Sequence, residues 1–478
     1  MKTITLIAAF TASIVLYACL KNKTIYKIDE SHHYDVVIVG GGISGLTAAY
    51  NLKDYDILVL EKENVCGGRV IKGEWEGFYY PKGMEYIGPP EKDYTTLFNE
   101  LGISIIKVPP PTDGVLYQGN IFTRNNILNY LPDQNAKDDY YRLMSDLKTL
   151  SDETEDAIWE NQEDLAKFAN LDAISVEDWL KQNNYHPLIQ EFVDVENRGL
   201  FGASNKDLSL LFNLDEMSYD LPDSSEYNES EVYTFTNGMF EYIQAIINKL
   251  NNKIQTGAEV VMVQTNNDMG VTIKYIQNGE THYVTADCVI MATPAPITAK
   301  IVTKGLSNNV INTLKSIKYS KYITVNLFTT ERIYKDSWMV SCIDEYFVTL
   351  YDAIRTQVND SYNGKSILGI YIAPKNANDS SFMSYSDNQI LDSIYIGLEN
   401  YFPDIRNKVI DYDIQRFDYA FPVFEKDYSN VILTLQDDDS AWGPIFLCGD
   451  YMMYATFDGA FWSSIDAAEE VIKYIKDE

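Results

Sequence analysis

The pattern of apolar positions begins with two short, largely apolar runs at residues 34–39 and 57–60. Runs of this length that are rich in β-branched residues are typical of strands buried on both faces of a parallel sheet. Between them, residues 43–53 carry apolar side chains at helical spacing, and three glycines at 40–42 separate the first run from this helix. The pattern therefore predicts one βαβ unit near the start of the chain.

Two later runs, 259–263 and 286–292, predict further strands of the same α/β domain. A polar hairpin with its turn at Asn278-Gly279 lies between them, because Asn-Gly is a favoured pair for tight hairpin turns. The chain then leaves the last of these strands through Thr293-Pro294.

A second region of the chain has a different pattern. Alternating apolar residues at 322–328 and 367–372 predict a mostly antiparallel sheet. Residues 134–200 are acidic and compatible with helices, particularly at 136–150 and 176–183, which indicates a helical insertion. The expected architecture is an α/β fold with a doubly wound domain and a second domain of mixed α+β structure.

The strongest chemical signal is Gly40-x-Gly42-x-x-Gly45 between the first strand and the first helix. Glycines at these positions allow a tight turn, a close approach to a pyrophosphate and close packing of helix on sheet. A carboxylate about 20 residues on can bind ribose hydroxyls, which favours a dinucleotide site over a plain glycine turn. The residues predicted to bind the dinucleotide are Gly40, Gly42, Ile43, Ser44, Gly45, Glu61 and Lys62.

Gly67-Gly68-Arg69 follows the second strand closely. This spacing resembles the flavin-containing amine oxidase superfamily, which includes monoamine and polyamine oxidases, L-amino-acid oxidases, protoporphyrinogen oxidase and the phytoene desaturases. The resemblance implies an FAD-binding domain of the Rossmann type, with Gly67, Gly68 and Arg69 along the pyrophosphate and ribityl chain. Arg69 would supply a fixed positive group near the phosphates.

The resemblance extends over most of the chain. Residues 82–89, which include Glu85, are similar to the glycine-containing segment that monoamine oxidases place near the flavin, and 236–239 is similar to the family's return to the FAD domain. Val260 falls at the strand position that contacts adenine. Near the C-terminus, a buried strand ends in Gly-Asp and a helix follows. These features assign to the cofactor Glu85, Val260, Gly449, Asp450, Asp458, Gly459 and Ala460.

The chain departs from monoamine oxidases at three places. Residues 417–442 contain no cysteine, so we expect FAD to be bound noncovalently. Thr456 stands where the family's C-terminal cage tyrosine would align, and 416–422 is more similar to the protoporphyrinogen oxidase and desaturase branches. Lys321 is the nearest candidate for the lysine that many amine oxidases keep beside flavin N5. A surface lysine at the start of a strand is the alternative for that residue.

Three functions remain open. The first is oxidation of an amine or amino acid by hydride transfer to FAD, with O₂ or another acceptor reoxidising the flavin. The second is an isoprenoid or porphyrinogen desaturase-like activity on an apolar substrate. The third is a flavin-binding protein without turnover, since a fold does not fix a reaction.

Composition excludes some partners. The chain has 478 residues with 38 basic and 70 acidic side chains, a net charge of −32, which argues against nucleic-acid binding. Its four histidines are scattered, and the cysteines after residue 19 have no metal-site spacing. We therefore expect a small-molecule substrate and no metal; the sequence does not indicate an oligomeric state.

The N-terminus predicts export. Lys2 precedes an uncharged apolar stretch that ends in Leu16-Tyr17-Ala18-Cys19, which resembles the lipobox of bacterial lipoproteins. Cys19 would carry the lipid, or an uncleaved signal would anchor the chain, facing the periplasm or exterior in either case. The predicted organisation is a signal peptide at 1–20, a linker at 21–33, an FAD-binding domain at 34–92, 226–298 and 440–478, and a substrate domain at 93–225 and 299–439.

Overall fold

The computed structural model describes residues 32–90, 92–221, 231–266, 270–357, 364–377 and 379–477. The predicted signal peptide, with Cys19, and nearly all of the predicted linker lie outside these residues. The strands are β1 His33–Val39, β2 Ile57–Leu60, β3 Lys72–Trp75, β4 Phe78–Pro81, β5 Ile105–Lys107, β6 Gly114–Tyr117, β7 Asn120–Thr123, β8 Tyr233–Phe235, β9 Ile254–Gln255, β10 Ala258–Thr265, β11 Val271–Gln277, β12 Glu280–Met291, β13 Val302–Lys304, β14 Tyr322–Thr329, β15 Met339–Cys342, β16 Thr349–Asp352, β17 Ser366–Ile372, β18 Val409–Phe417 and β19 Ile445–Leu447. The α-helices are α1 Ile43–Asn51, α2 Lys92–Leu101, α3 Gln134–Trp159, α4 Ala169–Asp172, α5 Val176–Gln182, α6 Pro187–Phe201, α7 Leu214–Asp220, α8 Phe240–Leu250, α9 Ala295–Ile301, α10 Asn308–Ser316, α11 Asp387–Leu398, α12 Ile405–Lys408, α13 Ser429–Asp437 and α14 Phe457–Asp477.

The first sheet is built around β1, which pairs in parallel with β12 on one side and β2 on the other. Strands β9 and β19 extend the parallel part, and β10 and β11 add antiparallel pairs. Alternate residues of β1 face opposite sides of a sheet. Val36 and Ile38 pack with α1, α8 and α14, whereas Val37 and Val39 pack with α9 and α10. Both faces of the strand are therefore covered, which explains its nearly continuous apolar sequence.

The predicted hairpin turn is present, with positive φ at both Asn278 and Gly279 between β11 and β12. The first sheet extends beyond the predicted boundary at residue 298, because β13 pairs with β10. Helix α2 also packs on this domain through Tyr94 and Phe98, although the sequence assigned it to the substrate domain. Such boundaries depend on long-range packing, which local periodicity does not contain.

The second sheet has the strand order β18-β14-β17-β16-β15-β6-β7. Its described pairs are antiparallel except for β15 with β6, which confirms the predicted type of sheet. Helix α11 covers one face, where Ile390 and Ile394 pack with Ile323 and Val325 of β14. The opposite face meets residues 80–85 of the first domain.

The helical insertion packs around α3 and α6 in a core that also contains Val115, Val423 and Tyr454 from outside the insertion. Helix α3 begins after Asp133, whose side chain accepts a hydrogen bond from the Ala136 N–H, and it runs well past the predicted end at residue 150. Beyond that point Ala157 and Ile158 are buried among acidic neighbours. The many acidic residues make the apolar face of this helix hard to recognise in the sequence, although its buried residues recur at helical spacing.

Candidate cofactor and substrate site

The loop between β1 and α1 has the geometry that its glycines predict. Gly40 has φ +111°, and a Cβ there would lie 2.6 Å from the Ala292 carbonyl oxygen. A Cβ on Gly45 would lie 1.9 Å from the Gly40 carbonyl oxygen. These two glycines are therefore required by the contact of the loop and helix with the sheet.

Gly42 is different, because an added Cβ would make only ordinary van der Waals contact. The nearest heavy atom to a Cβ added there is Gly68 Cα at 3.9 Å, and a Cβ on Gly68 would meet Gly42 Cα at 3.3 Å. Helix α1 begins at Ile43 without a side-chain cap on its first N–H groups. A helix N-terminus without a side-chain cap, flanked by glycines that let the backbone come close to a ligand, suits a pyrophosphate. The N–H groups of the first turn, which includes Ile43 and Ser44, are the donors the sequence assigned to it.

Glu61 follows β2 and is buried, with 7% of its surface exposed. Its Oε2 accepts a hydrogen bond from Gly41 N at 2.7 Å and its Oε1 accepts one from Glu63 N at 2.8 Å. The start of β10, the strand that holds Val260, lies alongside, since Ala258 N donates to the Glu61 carbonyl. Lys62 is exposed and pairs with Glu63 at 3.4 Å. The proposed ribose and adenine residues are therefore neighbours.

Arg69 joins the two distant half-sites. Its Nη1 donates to Asp450 Oδ2 at 2.5 Å and to the Ala420 carbonyl at 2.8 Å. Burial acts to lower the pKa of Arg69, but the charge and hydrogen bond of Asp450 outweigh it and raise the pKa. Gly449, with φ +149°, turns the chain from β19 so that Asp450 can reach this arginine. The Gly-Gly-Arg and Gly-Asp motifs therefore form one arrangement.

Helix α14 begins at Phe457 and follows the same loop. Asp458 Oδ1 accepts a hydrogen bond from the Tyr94 hydroxyl at 2.5 Å. Gly459 is in close contact with the preceding turn, because a Cβ there would lie 2.0 Å from the Tyr454 carbonyl oxygen. Ala460 N donates to the Thr456 carbonyl. The sequence assigned Asp458, Gly459 and Ala460 to the cofactor; the structure places all three in the first turn of α14, and their contact with FAD stays a prediction.

Residues 82–85 run from Arg69 to the second sheet. Gly83 lies between Arg69 and Phe417, since a Cβ there would be 2.1 Å from the Arg69 carbonyl oxygen and 3.2 Å from the Phe417 ring. The Thr324 hydroxyl of β14 donates to the Lys82 carbonyl at 2.7 Å. This segment therefore connects the predicted cofactor residues to the substrate domain.

Lys321 precedes β14 and makes other contacts. Its Nζ donates to the Asp418 carbonyl at 2.7 Å, lies 3.3 Å from Asp418 Oδ1 and stands over the Tyr419 ring. The side chain of β14 that contacts the Lys82-Gly83 segment is Thr324. A position for Lys321 beside flavin N5 stays a prediction.

Glu85 lies in the wall of a cleft between the β3–β4 hairpin and the second sheet. It is 8% exposed, and its Oε1 accepts a hydrogen bond from the Tyr371 hydroxyl. Burial raises the pKa of Glu85 to about 8, although the Tyr371 hydrogen bond acts to lower it. The side chains that line the cleft include Lys72, Tyr79, Glu85, Trp338, Asp352, Arg355 and Gln357.

The sequence did not identify Tyr371 as a site residue. With Tyr322 of β14 and Tyr351 of β16, it forms a cluster of tyrosine rings on the sheet face that meets Glu85. The residues lie on three strands that are far apart in sequence, so only the strand order brings them together. Among the described residues, no cluster of His, Cys, Asp or Glu has the arrangement of a metal site, and no helix is long and apolar enough to cross a membrane.

Comparison with known proteins identifies this arrangement. The sequence model of the flavin containing amine oxidoreductases matches residues 43–472, from the glycine loop to the last helix. The chain belongs to this family. It is an FAD-dependent oxidoreductase with the α/β fold of flavin amine oxidases. The uncapped N-terminus of α1 beside Gly42 and the Arg69–Asp450 pair fit the pyrophosphate and ribityl parts of this cofactor.

Individual relatives cover the chain to different extents. An L-amino acid dehydrogenase from Synechocystis sp. is 28% identical over 263 residues, which is 50% of this chain and 52% of that protein. The chain thus spans about half the length of this curated relative. Wild-type putrescine oxidase bound to putrescine superposes with a TM-score of 0.74 at 18% identity, over 92% of this chain and 99% of that one. Cyclohexylamine oxidase from Brevibacterium oxydans gives 0.72 at 17% identity, over 93% and 100%. These structures support the fold.

Proposed function

We propose that the protein oxidises an amine or an amino acid, transferring hydride from the carbon next to nitrogen to FAD. The observation that carries this proposal is the buried carboxyl of Glu85 in the cleft that adjoins the Gly83–Arg69 segment. A carboxyl group at that place suits a cationic nitrogen, whereas a desaturase for isoprenoids needs a long apolar channel. O₂ or another acceptor would reoxidise the flavin.

Bound FAD would supply the electron-accepting ring, and the chain's own groups would position it. The first N–H groups of α1 and the side chain of Arg69 would hold the phosphates, and Glu61 would bind ribose. The N-terminus of α14 would place its positive end near the ring. Because residues 417–442 contain no cysteine, FAD would be held noncovalently.

The similarity to an L-amino acid dehydrogenase in sequence, and to putrescine and cyclohexylamine oxidases in fold, supports a nitrogen-containing substrate. It leaves open whether that substrate carries a carboxylate. Lys72 and Arg355 line the cleft that contains Glu85, so a carboxylate-bearing amine has cations within the same cleft.

The test is anaerobic reduction of the purified flavoprotein. Benzylamine, putrescine, L-leucine and L-lysine would be added separately in the absence of O₂, and the flavin absorbance near 450 nm would be followed. We expect at least one of these compounds to bleach the flavin and protoporphyrinogen or phytoene to leave it oxidised. Bleaching by an apolar compound alone would support the desaturase alternative, and bleaching by none would support a binding protein without turnover.

A further inference from the structure

The sequence assigned Glu85 to the cofactor, and the structure places its buried carboxyl in the wall of the cleft. Its carboxyl faces the second sheet, where the Tyr371 hydroxyl donates to it. The ring of Tyr371 lies 5.5 Å from that of Tyr322 and 4.9 Å from that of Tyr351. Aromatic rings therefore enclose the carboxyl group on the side of the substrate domain.

This enclosure is continuous with the predicted flavin position. The Tyr322 ring lies 5.7 Å from that of Phe421, and the neighbouring Ala420 carbonyl accepts the hydrogen bond from Arg69. On the other side, Glu85 is two residues from Gly83, which packs against Arg69. A ligand group beside Glu85 would therefore be close to both domains.

The charged groups around Glu85 have other partners. Arg198 of α6 donates to the carbonyls of Ala373 and Pro374 at 2.9 and 3.1 Å. In the cleft, Lys72 stands over the Tyr79 ring, and Asp352 is bound by Arg332.

Arg355, also in the cleft, donates to three backbone carbonyls, those of Pro109, Pro111 and Lys335. Among the described residues, no basic side chain forms an ion pair with Glu85; its hydrogen bond comes from a neutral hydroxyl.

A buried carboxylate without a cation is unfavourable, because burial removes its interaction with water and no opposite charge compensates for that loss. A ligand that brings a positive charge would remove this penalty. We propose, on the basis of the proposed function, that Glu85 binds the ammonium group of the substrate and accepts a proton from it before hydride transfer.

The proton transfer is balanced within the pair. An N–H bond of the substrate ammonium breaks, an O–H bond forms on Glu85, and no electrons are gained or lost. The products are a neutral amine and a neutral carboxylic acid. The free nitrogen lone pair then supports loss of hydride from the adjacent carbon, which an ammonium ion cannot do. Glu85 is thus a catalytic residue in addition to a specificity residue.

Proton release gives this role a signature. Since the pKa of Glu85 in the free protein is about 8, the carboxyl is protonated at lower pH. Binding of an ammonium ion then displaces one proton to solvent, so the dissociation constant of the amine should rise about tenfold for each pH unit below 8. Between pH 8 and the pKa of the free amine, near 10, the constant should be level.

The experiment uses the holoprotein and whichever of benzylamine, putrescine, L-leucine or L-lysine bleaches it. Stopped-flow reduction gives the dissociation constant and the limiting reduction rate from pH 6 to 9. In Glu85→Gln we expect the constant at pH 8 to rise roughly 10- to 150-fold, from the usual size of a charged hydrogen bond. The slope with pH below 8 should disappear, and the limiting rate should fall.

Two further variants separate this role from a structural one. Tyr371→Phe removes the hydrogen bond that lowers the pKa of Glu85, so the break in the pH profile should move upward while binding above it is retained. Glu74→Gln removes a charge from the exposed side of the same hairpin and should change neither quantity. Dithionite reduction and the flavin spectrum should be the same in every variant.

The outcomes are distinguishable. If no amine reduces the wild-type protein, the proposed function itself fails. If an amine reduces the wild type and Glu85→Gln keeps the wild-type affinity and pH profile, the function stands and the role of Glu85 is rejected. Loss of flavin from Glu85→Gln would assign the residue to the cofactor and also overturn the proposal. An unmoved pH break in Tyr371→Phe would exclude Glu85 as the titrating group.

Discussion

The glycine loop permits a substitution that separates cofactor binding from folding. Gly42 has φ −80° and ψ −170°, an extended conformation that alanine also adopts, and an added Cβ would have 3.9 Å to its nearest heavy atom. Gly45 leaves no such room, with 1.9 Å to the Gly40 carbonyl. Gly42→Ala is therefore expected to fold normally and lose FAD, whereas Gly45→Ala should damage the fold.

The magnitudes follow from these contacts. Alanine at a helix N-cap destabilises the folded state by up to about 1 kcal/mol relative to glycine. It also lowers the conformational entropy of the unfolded chain, which stabilises the folded state by a similar amount. The free energy of unfolding of Gly42→Ala should thus stay within about 1 kcal/mol of wild type. Gly45→Ala should lose at least the roughly 1–3 kcal/mol that overpacking usually costs.

The affinity of Gly42→Ala for FAD should fall although its stability is retained. The methyl group of Gly42→Ala would lie 3.9 Å from Gly68 Cα, beside the N-terminus of α1 where we place the pyrophosphate. If it displaces the phosphates from two backbone N–H donors at roughly 1.5–3 kcal/mol each, the loss is about 3–6 kcal/mol. The dissociation constant of FAD should therefore rise about 10²- to 10⁴-fold.

The assay combines two measurements on flavin-free protein. Thermal unfolding followed by circular dichroism gives stability, and quenching of FAD fluorescence on titration gives affinity. Wild-type FAD affinity in Gly42→Ala would refute our position for the pyrophosphate. Equal destabilisation of the two variants would refute the packing argument, since it predicts that only Gly45 is constrained by contact with backbone.

The other predictions concern four single residues and the attachment of the flavin. Glu61→Gln should weaken FAD binding, measured by the same titration, because it removes the charge that Glu61 presents to ribose. Cys66→Ala should retain flavin, because burial raises the pKa of that thiol to about 12 and keeps it neutral. Loss of flavin from the cysteine variant would contradict this. Heat or acid should release the flavin intact, and protein that stays yellow after precipitation would show a covalent bond. Lys321→Met should slow reoxidation of dithionite-reduced protein by O₂ in stopped flow, because a positive charge near flavin stabilises superoxide; an unchanged rate would limit Lys321 to its contact with Asp418. Cys19→Ser should abolish labelling by a fatty-acid probe, and unchanged labelling would reject the lipobox.

The geometry of the glycine loop could be predicted from the sequence, because it is local. The positions of Gly40, Gly42 and Gly45 each follow from one turn, and β1, α1 and β2 are contiguous in the chain. The contact between Arg69 and Asp450 was not predicted, since the two motifs lie 381 residues apart and only the fold brings them together. What the motifs leave out is that Arg69 also binds the Ala420 carbonyl, which ties this pair to the second domain.

The domain boundaries were harder to predict for a different reason. Strand β13 joins the first sheet through a few parallel hydrogen bonds with β10, and α2 joins it through aromatic contacts such as Phe98 with Phe235. Neither feature leaves a periodic signal that differs from that of the second domain. Short elements of this kind are assigned to a domain by what they pack against.

The substrate half of the site shows the same limit more strongly. Tyr322, Tyr351 and Tyr371 each occupy an ordinary strand position, and none lies in a motif. They converge because β17 lies between β14 and β16 in the second sheet. This order differs from the order of the three strands along the chain. A buried acid on the first domain then completes the cluster. Strand order therefore brings together the residues that we propose determine substrate specificity. Spacing along the chain positions the residues that we propose hold FAD. Substitutions at the three tyrosines should consequently change which amines reduce the flavin without changing the affinity for FAD.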